Sequence, residues 1–429
     1  LPRRISCLTS QCRCSKMLLI KNGTVRLKDG KKTEYEQMDL LISEDRIEEI
    51  APNIFCPQAE ILDAKKHLVI PGLINCHIHS HDNFNRAWLD NMPLEIWMAV
   101  VRPFFSGIHH TPEQIYYRTL LGAVEMLRTG TTTVMDDVLL NRLLDEKSLE
   151  MIIKAYQDIG MRAVVLPHTK NIAMEKTIPY AEELFTDRMK KATSITYTSE
   201  EVILGFMEEH LQEYNRPGRT VTMGLSSSAP QRSTIKLMHG FRDLSQKYNV
   251  PVACHVLETY VQKRTGDLFY GKSLVKCLAD LELLNPNFVL IHCNWINDED
   301  KELIAQYGSK AVHNPACNMK MGSGIATVYD MFQQFPVGLG TDNISANDST
   351  NLFEAMKLGA LLSKIRTPEF TKWLDAEDVV DMATVSGGHC LKKESEIGTL
   401  EIGKKADIVL LNMENEQFIM AEDYDKVLA

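Results

Sequence analysis

The sequence predicts an α/β fold, namely a (β/α)8 TIM barrel with a small β-sandwich module built from the N- and C-terminal segments. Two observations lead to this fold class. Between residues 71 and 392, eight apolar runs rich in β-branched residues alternate with amphipathic stretches of helical period, which matches the pattern and size of a TIM barrel. On both sides of this region, short alternating segments are separated by Gly, Lys and Asp turns, which is typical of strands in a β-module.

The eight runs predicted as barrel strands each end in polar residues. In chain order they are "GLINCHIH", "TTTVMDD" (131–137), "RAVVLPH" (162–168), "TVTMGLSSS" (220–228), "VPVACHVLE" (250–258), "NFVLIHCNW" (287–295), "KAVHNP" (310–315) and "PVGLGTDN" (336–343). Amphipathic stretches between them, such as "PEQIYYRTLLGAVEMLRTG", predict the barrel helices. Because chemistry in a TIM barrel sits at the carboxyl ends of the strands, these polar residues are expected to meet at one mouth.

The domain boundaries follow from the change of pattern along the chain. We expect residues 17–70 to form the first part of the β-module and residues 71–392 the barrel. Residues 393–429 are expected to supply the rest of the module, which is either small or shortened at its end. Residues 1–16 contain four basic residues, no acidic residue and no initiator Met, so we expect a non-native or leader segment there.

The composition argues against several classes of partner. The chain has 47 basic and 57 acidic residues, a net charge of −10, and no long basic run, so nucleic acid is not an expected partner. No apolar stretch reaches the roughly 18 residues of a membrane span, so no membrane association is expected. The ten cysteines form no regular disulfide framework, which favours a reducing compartment and a cytoplasmic location.

Four of the polar strand ends could hold one divalent metal ion. Residues two apart in a strand project from the same face, about 6.6 Å apart, so His77 and His79 point the same way. With His255 from the fifth strand and Asp342 from the eighth, they offer imidazole and carboxylate ligands to a borderline cation. We expect one ion per chain, Zn²⁺ in the first place and Fe²⁺ as the alternative. His81 falls in the following loop and is not expected to be a ligand.

Acid–base chemistry beside such an ion is expected from three residues. A bound water would have its pKa lowered from 15.7 toward about 7, which makes hydroxide available at neutral pH. Asp342 could ligate the ion and also accept the proton of that water. Glu258 lies three residues after His255, close enough to protonate a substrate nitrogen, while His292 orients the hydroxide.

Substrate contacts are expected from three further residues near the mouth. Trp88 could stack on a planar ring, and His168 and Asn318 could make polar contacts to it. Other catalytic motifs are absent or incomplete, since the sequence contains no HExxH, P-loop or GxSxG motif. The segment "NPACNMK" has one cysteine where the zinc nucleobase deaminases with HxE and PCxxC motifs need two.

The ordered motifs resemble those of the metal-dependent amidohydrolase superfamily. The resemblance runs from about Met17 to Asn412 and is carried by "VIPGLINCHIH", "RTGTTTVMDD", "HVLET", "LIHC", "VHNPACNMKMGSGIA" and "GLGTDNISANDSTNLFEAMKLGALL". Within the superfamily the chain looks most like the branch of cytosine deaminase-like enzymes, adenosylhomocysteine and methylthioadenosine deaminases, and s-triazine hydrolases. This resemblance implies one metal on the four ligands named above, with Glu258 and His292 handling protons, and a homodimer or higher homo-oligomer.

The resemblance also implies the reaction, which is hydrolytic removal of an exocyclic amine from a nitrogen heterocycle such as a purine, pyrimidine or triazine. Phe104 and Phe105 stand where adenosine-type members carry a Pro-x-Glu that binds ribose, and "GTDNISANDS" resembles the triazine-hydrolase sequence. Both features favour a heterocycle without a sugar. The alternatives are release of chloride or an alkylamine from a triazine, opening of a cyclic amide, and a non-enzymatic barrel scaffold.

Overall fold

The computed structural model describes residues 17–30, 32–88, 90–101, 109–195 and 198–429. These residues form two compact units. The first contains the described residues up to Pro71 together with Thr399–Ile419, and the second contains Gly72–Gly398 and Met420–Ala429. Residues 1–16, for which a non-native or leader segment is expected, lie outside the described residues.

The first unit is built on one mixed sheet. Its strands from the N-terminal segment are β1 (Met17–Asp29), β2 (Lys32–Ser43), β3 (Arg46–Ala51), β4 (Glu60–Asp63) and β5 (His67–Pro71). Strands β1, β2 and β3 form an antiparallel meander, whereas β4 and β5 pair with β1 in parallel. Alternating apolar residues such as Val25, Leu40 and Ile47 form a buried cluster between them, as the two-residue period of a strand requires.

The second unit contains the eight-stranded parallel barrel. Its strands are β6 (Leu73–Ile78), β7 (Thr131–Val138), β8 (Arg162–Thr169), β9 (Val221–Met223) with β10 (Leu225–Ser227), β11 (Val252–Val256), β12 (Phe288–His292), β13 (Lys310–His313) and β14 (Val337–Leu339). Strands β9 and β10 together form the fourth barrel position, and a bridge between Ile78 and Asp342 joins the first position to the eighth. The predicted fold class is confirmed, and each of the eight predicted runs contains a barrel strand.

Helices connect successive barrel strands. The longer ones are Pro112–Arg128, Glu146–Ile159, Glu200–Tyr214, Ile235–Tyr248, Asp298–Gln306 and Leu352–Arg366. Shorter helices are Leu94–Ile96, Ala181–Leu184, Asp187–Thr193, Tyr260–Thr265, Leu274–Asp280, Pro315–Lys320, Val328–Phe332, Ile344–Asn347, Ala376–Met382, Val385–Cys390 and Tyr424–Leu428. Two π-helical turns, Trp97–Val101 and Gly266–Tyr270, and 3₁₀ turns at Ser80–Asp82, Met174–Lys176, Pro230–Arg232, Phe370–Lys372 and Glu416–Phe418 complete the helical structure. In the part of the chain that the structure describes, no helix is long and apolar enough to span a membrane.

The C-terminal segment is divided between the two units. Strand β15 (Ile408–Asn412) pairs antiparallel with β5 and so belongs to the module. Residues 420–429 group with the barrel instead, because their helix Tyr424–Leu428 packs against helix Ala376–Met382 and buries Leu428. The structure therefore differs from the predicted boundaries, which assign all of 393–429 to the module.

Strand β6 contributes both to the buried core of the barrel and to the site at its end. Ile74 and Cys76 are buried in a cluster that includes Cys390 of helix Val385–Cys390. Asn75, between them, donates from Nδ2 to Thr341 Oγ1 at 2.8 Å. The pairing of β6 with β7 shifts register between Asn75 and Ile78, so regular alternation ends before His77 and the irregular strand end presents this residue to the site.

Candidate metal centre and active site

His77 and His79 lie next to the carboxylate of Asp342, and His255 lies beside their two rings. The Nε2 atoms of His77 and His79 lie 3.5 and 3.4 Å from Asp342 Oδ1. His255, at the end of β11, stacks on His79 with 5.4 Å between ring centroids and stands 4.9 Å from the ring of His77. His255 Nδ1 donates to the carbonyl oxygen of Ser228 at 2.8 Å, which leaves Nε2 as the nitrogen available to a ligand.

The backbone at these strand ends is unusual. Leu257, His292, Cys293 and Asp342 have φ values of 50°, 77°, 54° and 60°, in the left-handed region that side chains with a Cβ avoid. Such conformations cost of order 1–3 kcal/mol each and persist where surrounding contacts enforce them, typically at functional sites. Here the backbone N–H of Asp342 donates to the carbonyl oxygen of His77 at 2.8 Å, which links the eighth strand position to the first.

The side chains present fit a divalent metal ion. Two ligand atoms bound to one tetrahedral zinc at about 2.05 Å are about 3.3 Å apart, close to the separations measured around Asp342 Oδ1. Neither ring nitrogen of the buried His77 makes a hydrogen bond with any described residue, which is costly for a buried polar group and is relieved by a metal. Ligand atoms lie within 4.8 Å of one another in two overlapping groups: His77, His79, Asp137 and His255; and His77, His292 and Asp342.

Glu258 and His292 complete the constellation next to Asp342. His292 Nε2 lies 3.6 Å from Glu258 Oε2 and 3.5 Å from Asp342 Oδ2. The backbone N–H of Glu258 donates to Gln262 Oε1 at 2.7 Å, and Gln262 Nε2 donates to the carbonyl oxygen of His255 at 3.0 Å. Gln262 therefore connects the end of β11 to the turn that carries Glu258.

Neighbouring charges shift the pKa values of the two buried carboxyl groups in opposite directions. Burial, together with the neighbouring charges of Asp342 and Glu95, raises the pKa of Glu258 well above its usual range. Burial acts in the same direction on Asp342, but the histidines around it prevail and hold its pKa well below the usual range. Burial also lowers the pKa of His292 to about 4. These surroundings therefore favour the acid form of Glu258, the ionised form of Asp342 and the neutral imidazole of His292.

These groups open into one cavity of about 690 Å³. His79, His255, Glu258, His292 and Asp342 all line it. A volume of this size is typical of small-molecule sites.

Of the three residues expected to contact the substrate, one lines the cavity and two do not. His168 lines the cavity. Trp88 is 62% exposed and is not among the described residues of the cavity wall. Asn318 does not reach the wall formed by the described residues either, because it is 1% exposed and its Oδ1 accepts a hydrogen bond from His292 Nδ1 at 3.0 Å. The structure therefore places Asn318 behind His292, and not against a bound ring. Phe104 and Phe105 lie outside the described residues.

Two residues near the site did not emerge from the sequence. Asp137 follows Asp136 at the end of β7. Its two carboxylate oxygens, Oδ1 and Oδ2, lie 3.0 and 3.1 Å from His168 Nδ1. A second consecutive Asp at a strand end is the only signal that could have pointed to it. Arg232 lines the cavity and donates to Ser228 Oγ at 3.4 Å, but its position in a loop gave no periodic signal. His81 also lines the cavity, where its Nδ1 accepts from the backbone N–H of Leu139 at 3.0 Å.

Known proteins resemble this chain over most of its length. The family model "Amidohydrolase family" matches residues 68–427. The 5'-deoxyadenosine deaminase of Methanosarcina barkeri is 30% identical over 398 residues, which cover 92% of this chain and 84% of that protein. The 5-methylthioadenosine/S-adenosylhomocysteine deaminase 1 of Syntrophus aciditrophicus is 30% identical over 400 residues, with 92% and 84% coverage.

Solved structures share the fold. The atrazine chlorohydrolase of Arthrobacter aurescens complexed with zinc superposes with a TM-score of 0.86 at 23% identity, covering 96% of this chain and 90% of that one. The likeness of the fold and the match to the family model agree with the resemblance found in the strand-end motifs. The chain therefore belongs to the amidohydrolase family and is a hydrolase of carbon–nitrogen bonds.

Proposed function

We propose that the protein is a metal-dependent aminohydrolase that removes an exocyclic amine, as ammonia, from a nitrogen heterocycle. The observation that carries the proposal is the pair of carboxyl groups of opposite ionisation, Glu258 and Asp342, on either side of His292. Deamination of an aromatic ring needs both a proton donor for the ring nitrogen and an acceptor for the proton of the attacking water. The named activities of the relatives support the same reaction class.

His77, His79, His255 and Asp342 would hold the metal ion. When bound, such an ion lowers the pKa of a water molecule to about 7 and supplies hydroxide at neutral pH. Asp342 Oδ2 is 3.5 Å from His292 Nε2 and can receive the proton of the attacking water. Glu258, in its acid form, donates its proton to the ring nitrogen. Asp342 passes the proton it received from water to the exocyclic amine, the carbon–nitrogen bond breaks and the amine leaves as ammonia. Glu258 takes back a proton from the hydroxyl group that was added to the ring carbon, which becomes the carbonyl of the product.

The substrate we propose carries an adenine-type ring, as a nucleoside or as a free base. The relatives named as deaminases of 5'-deoxyadenosine and methylthioadenosine support the nucleoside, and a cavity of about 690 Å³ is large enough for more than a single ring. The triazine-like sequence "GTDNISANDS" supports a sugar-free heterocycle as the second candidate. A panel of both kinds, with separate ammonia and chloride measurements, distinguishes them.

Asp342→Asn is the variant that tests the proposal. The carboxamide is a weaker metal ligand and a poor proton acceptor, so we expect ammonia release to fall below detection and the metal content to fall below one per chain. Circular dichroism should show an unchanged fold. Ammonia release by the folded variant at the wild-type rate, or no turnover of any heterocycle by metal-loaded wild type, would refute the proposal.

We also propose zinc as the ion, a cytoplasmic location and a homo-oligomeric assembly. Imidazole and carboxylate ligands suit zinc, and the three histidines fall in one group of potential ligand atoms with Asp137, while His77 and Asp342 fall together in the other. The zinc in the related chlorohydrolase supports this choice. Free, buried thiols support a reducing location, and within the described residues they are Cys56, Cys76, Cys254, Cys277, Cys293, Cys317 and Cys390. Metal analysis, fractionation and sedimentation measure the three properties separately.

A further inference from the structure

Asp137 and His168 form a buried pair on neighbouring strands of the barrel. Asp137 belongs to β7 and pairs in register with Leu166 of β8, two residues before His168. Both carboxylate oxygens of Asp137 lie near His168 Nδ1, at 3.0 and 3.1 Å. Asp137 is fully buried, whereas the side chain of His168 is 10% exposed and lines the cavity. The pair therefore joins a buried carboxylate to an imidazole on the cavity wall.

The chemistry of the pair determines the tautomer of His168. Both carboxylate oxygens of Asp137 lie within 3.1 Å of His168 Nδ1, an arrangement in which the carboxylate accepts the hydrogen bond and Nδ1 carries the proton. In the neutral ring the lone pair then resides on Nε2, which makes Nε2 a hydrogen-bond acceptor.

Asp137 also lies close to two of the proposed metal ligands, His255 and His79. Its carboxylate lies 3.9 Å from His255 Nδ1, but that nitrogen already donates to the carbonyl oxygen of Ser228. His79 Nδ1 likewise donates to the backbone carbonyl oxygen of Asp137. With both nitrogens engaged by backbone oxygens, the carboxylate of Asp137 makes its closest contacts with His168.

His168 is next to the metal centre without belonging to it. Its ring centroid is 6.1 Å from that of His79 and 5.9 Å from that of His255. His168 is in neither group of potential ligand atoms. A substrate whose reacting carbon approaches the metal centre would therefore bring another part of the molecule near His168.

We propose that Asp137 is a positioning residue that orients His168, and that His168 Nε2 accepts a hydrogen bond from an N–H or O–H group of the substrate. This inference rests on the proposed function and adds a requirement for the substrate class, which is a heterocycle that carries an N–H or O–H donor other than the leaving amine, such as a ribose hydroxyl or a ring N–H. Methylation of that donor should weaken binding, because Nε2 would lose its partner and meet an alkyl group instead.

The test compares Asp137→Asn, His168→Gln and the double variant with the control Asp158→Asn, which makes the same carboxylate-to-amide change at the surface. Using the best substrate of the heterocycle panel, we expect each single variant to raise KM about 10-fold or more with kcat within a few-fold of wild type. The double variant should be no worse than His168→Gln alone, because Asp137 acts through His168. Metal content should remain at the wild-type value in all variants.

Nitrogen NMR of the histidine rings gives a measurement that needs no substrate. In metal-loaded wild type, His168 should show the Nδ1–H tautomer, and Asp137→Asn should shift its signals while Asp158→Asn leaves them unchanged. Additive effects on KM, unchanged His168 signals in Asp137→Asn, or loss of metal in that variant would each overturn the inference. If no heterocycle is turned over, the proposed function fails, while the NMR and metal measurements still decide on the pair.

Discussion

Glu258 and Asp342 are two buried carboxyl groups whose neighbours favour opposite ionisation states. Glu258 is buried at 5% exposure, and the negative charges of Asp342 and Glu95 add to the effect of burial. Asp342 is equally buried at 5% exposure, but it is surrounded by imidazoles that stabilise its charged form. The difference lies in the neighbours and not in the depth of burial, and it suits the two groups to the roles that we propose for them, Glu258 as the acid and Asp342 as ligand and base.

Glu258→Gln should remove the proton donor while preserving shape. We expect kcat/KM to fall about 10²–10⁴-fold with the metal content unchanged. In wild type, burial raises the pKa of Glu258 well above its usual range, so activity that needs the acid form should fall as pH rises through that pKa. The measurement is kcat/KM against pH. An alkaline limb that persists in Glu258→Gln would assign the titration to another group.

Asn318 should affect catalysis by holding the ring of His292 in its orientation. Its Oδ1 accepts from His292 Nδ1 at 3.0 Å, and its Nδ2 donates to Asn294 Oδ1 at 2.9 Å, while Asn294 Nδ2 donates to the carbonyl oxygen of Glu258 at 2.9 Å. We expect Asn318→Leu to lower kcat about 10–100-fold with little change in KM, because the ring orientation and not substrate binding is lost. Steady-state kinetics measure both constants. Met319→Leu, at the 41% exposed neighbouring position, is the control, and a rise in KM alone would contradict the role.

At the scale of elements, close packing between the ends of β6, β13 and β14 positions the first ligand. Gly340 follows β14, and its backbone N–H donates to the carbonyl oxygen of His313 at the end of β13 at 3.0 Å. A Cβ at Gly340 would lie 2.9 Å from His77 Cβ and 3.1 Å from His77 N. The absence of a side chain therefore lets the last strand approach His77.

Gly340→Ala should disturb both stability and metal binding. The added methyl group meets backbone and Cβ atoms of His77, which cannot move without shifting β6, so we expect a loss of about 1–3 kcal/mol in the free energy of unfolding. Denaturant unfolding and metal titration measure the two effects. Gly205→Ala is the matched control, because this helix position has open space and alanine favours a helix by about 0.5–1 kcal/mol. Equal behaviour of the two variants would contradict the packing argument.

At the scale of the whole molecule, the proposed metal joins distant parts of the chain. His77 and His79 come from β6, His255 from β11, and Asp342 from the end of β14, where the Ile78–Asp342 bridge joins the first and last barrel positions. An ion on these residues would bind the folded state and stabilise it by mass action.

Metal removal should therefore lower the thermal stability of the barrel. Binding at a thousandfold excess over Kd stabilises a fold by about 4 kcal/mol, so we expect a clear fall in Tm after chelation and recovery after zinc addition. Differential scanning calorimetry measures the shift. Asp342→Asn should show a smaller dependence of Tm on zinc, and an identical Tm with and without metal in wild type would contradict a structural contribution of the ion.

Much of this organisation was predictable from the sequence. Each predicted run contains a barrel strand because apolar, β-branched runs between helical periods require little tertiary information. The fourth strand is the exception in detail, since it is interrupted at Gly224, where a Cβ would lie 2.9 Å from the carbonyl oxygen of Pro251. The boundary at residue 420 also differs, because it depends on which unit the last helix packs against.

The sequence by itself determined the barrel, its β-module, and the set of residues that stand at the strand ends, since each depends on local period and order along the chain. Only the tertiary structure decided which polar residues face the cavity and which support them. Asn318 lies behind His292, Trp88 lies away from the described cavity wall, and Asp137 holds His168. The physical reason is that local period indicates which face of a strand a side chain occupies, whereas its hydrogen-bond partner belongs to another strand and depends on the register between them.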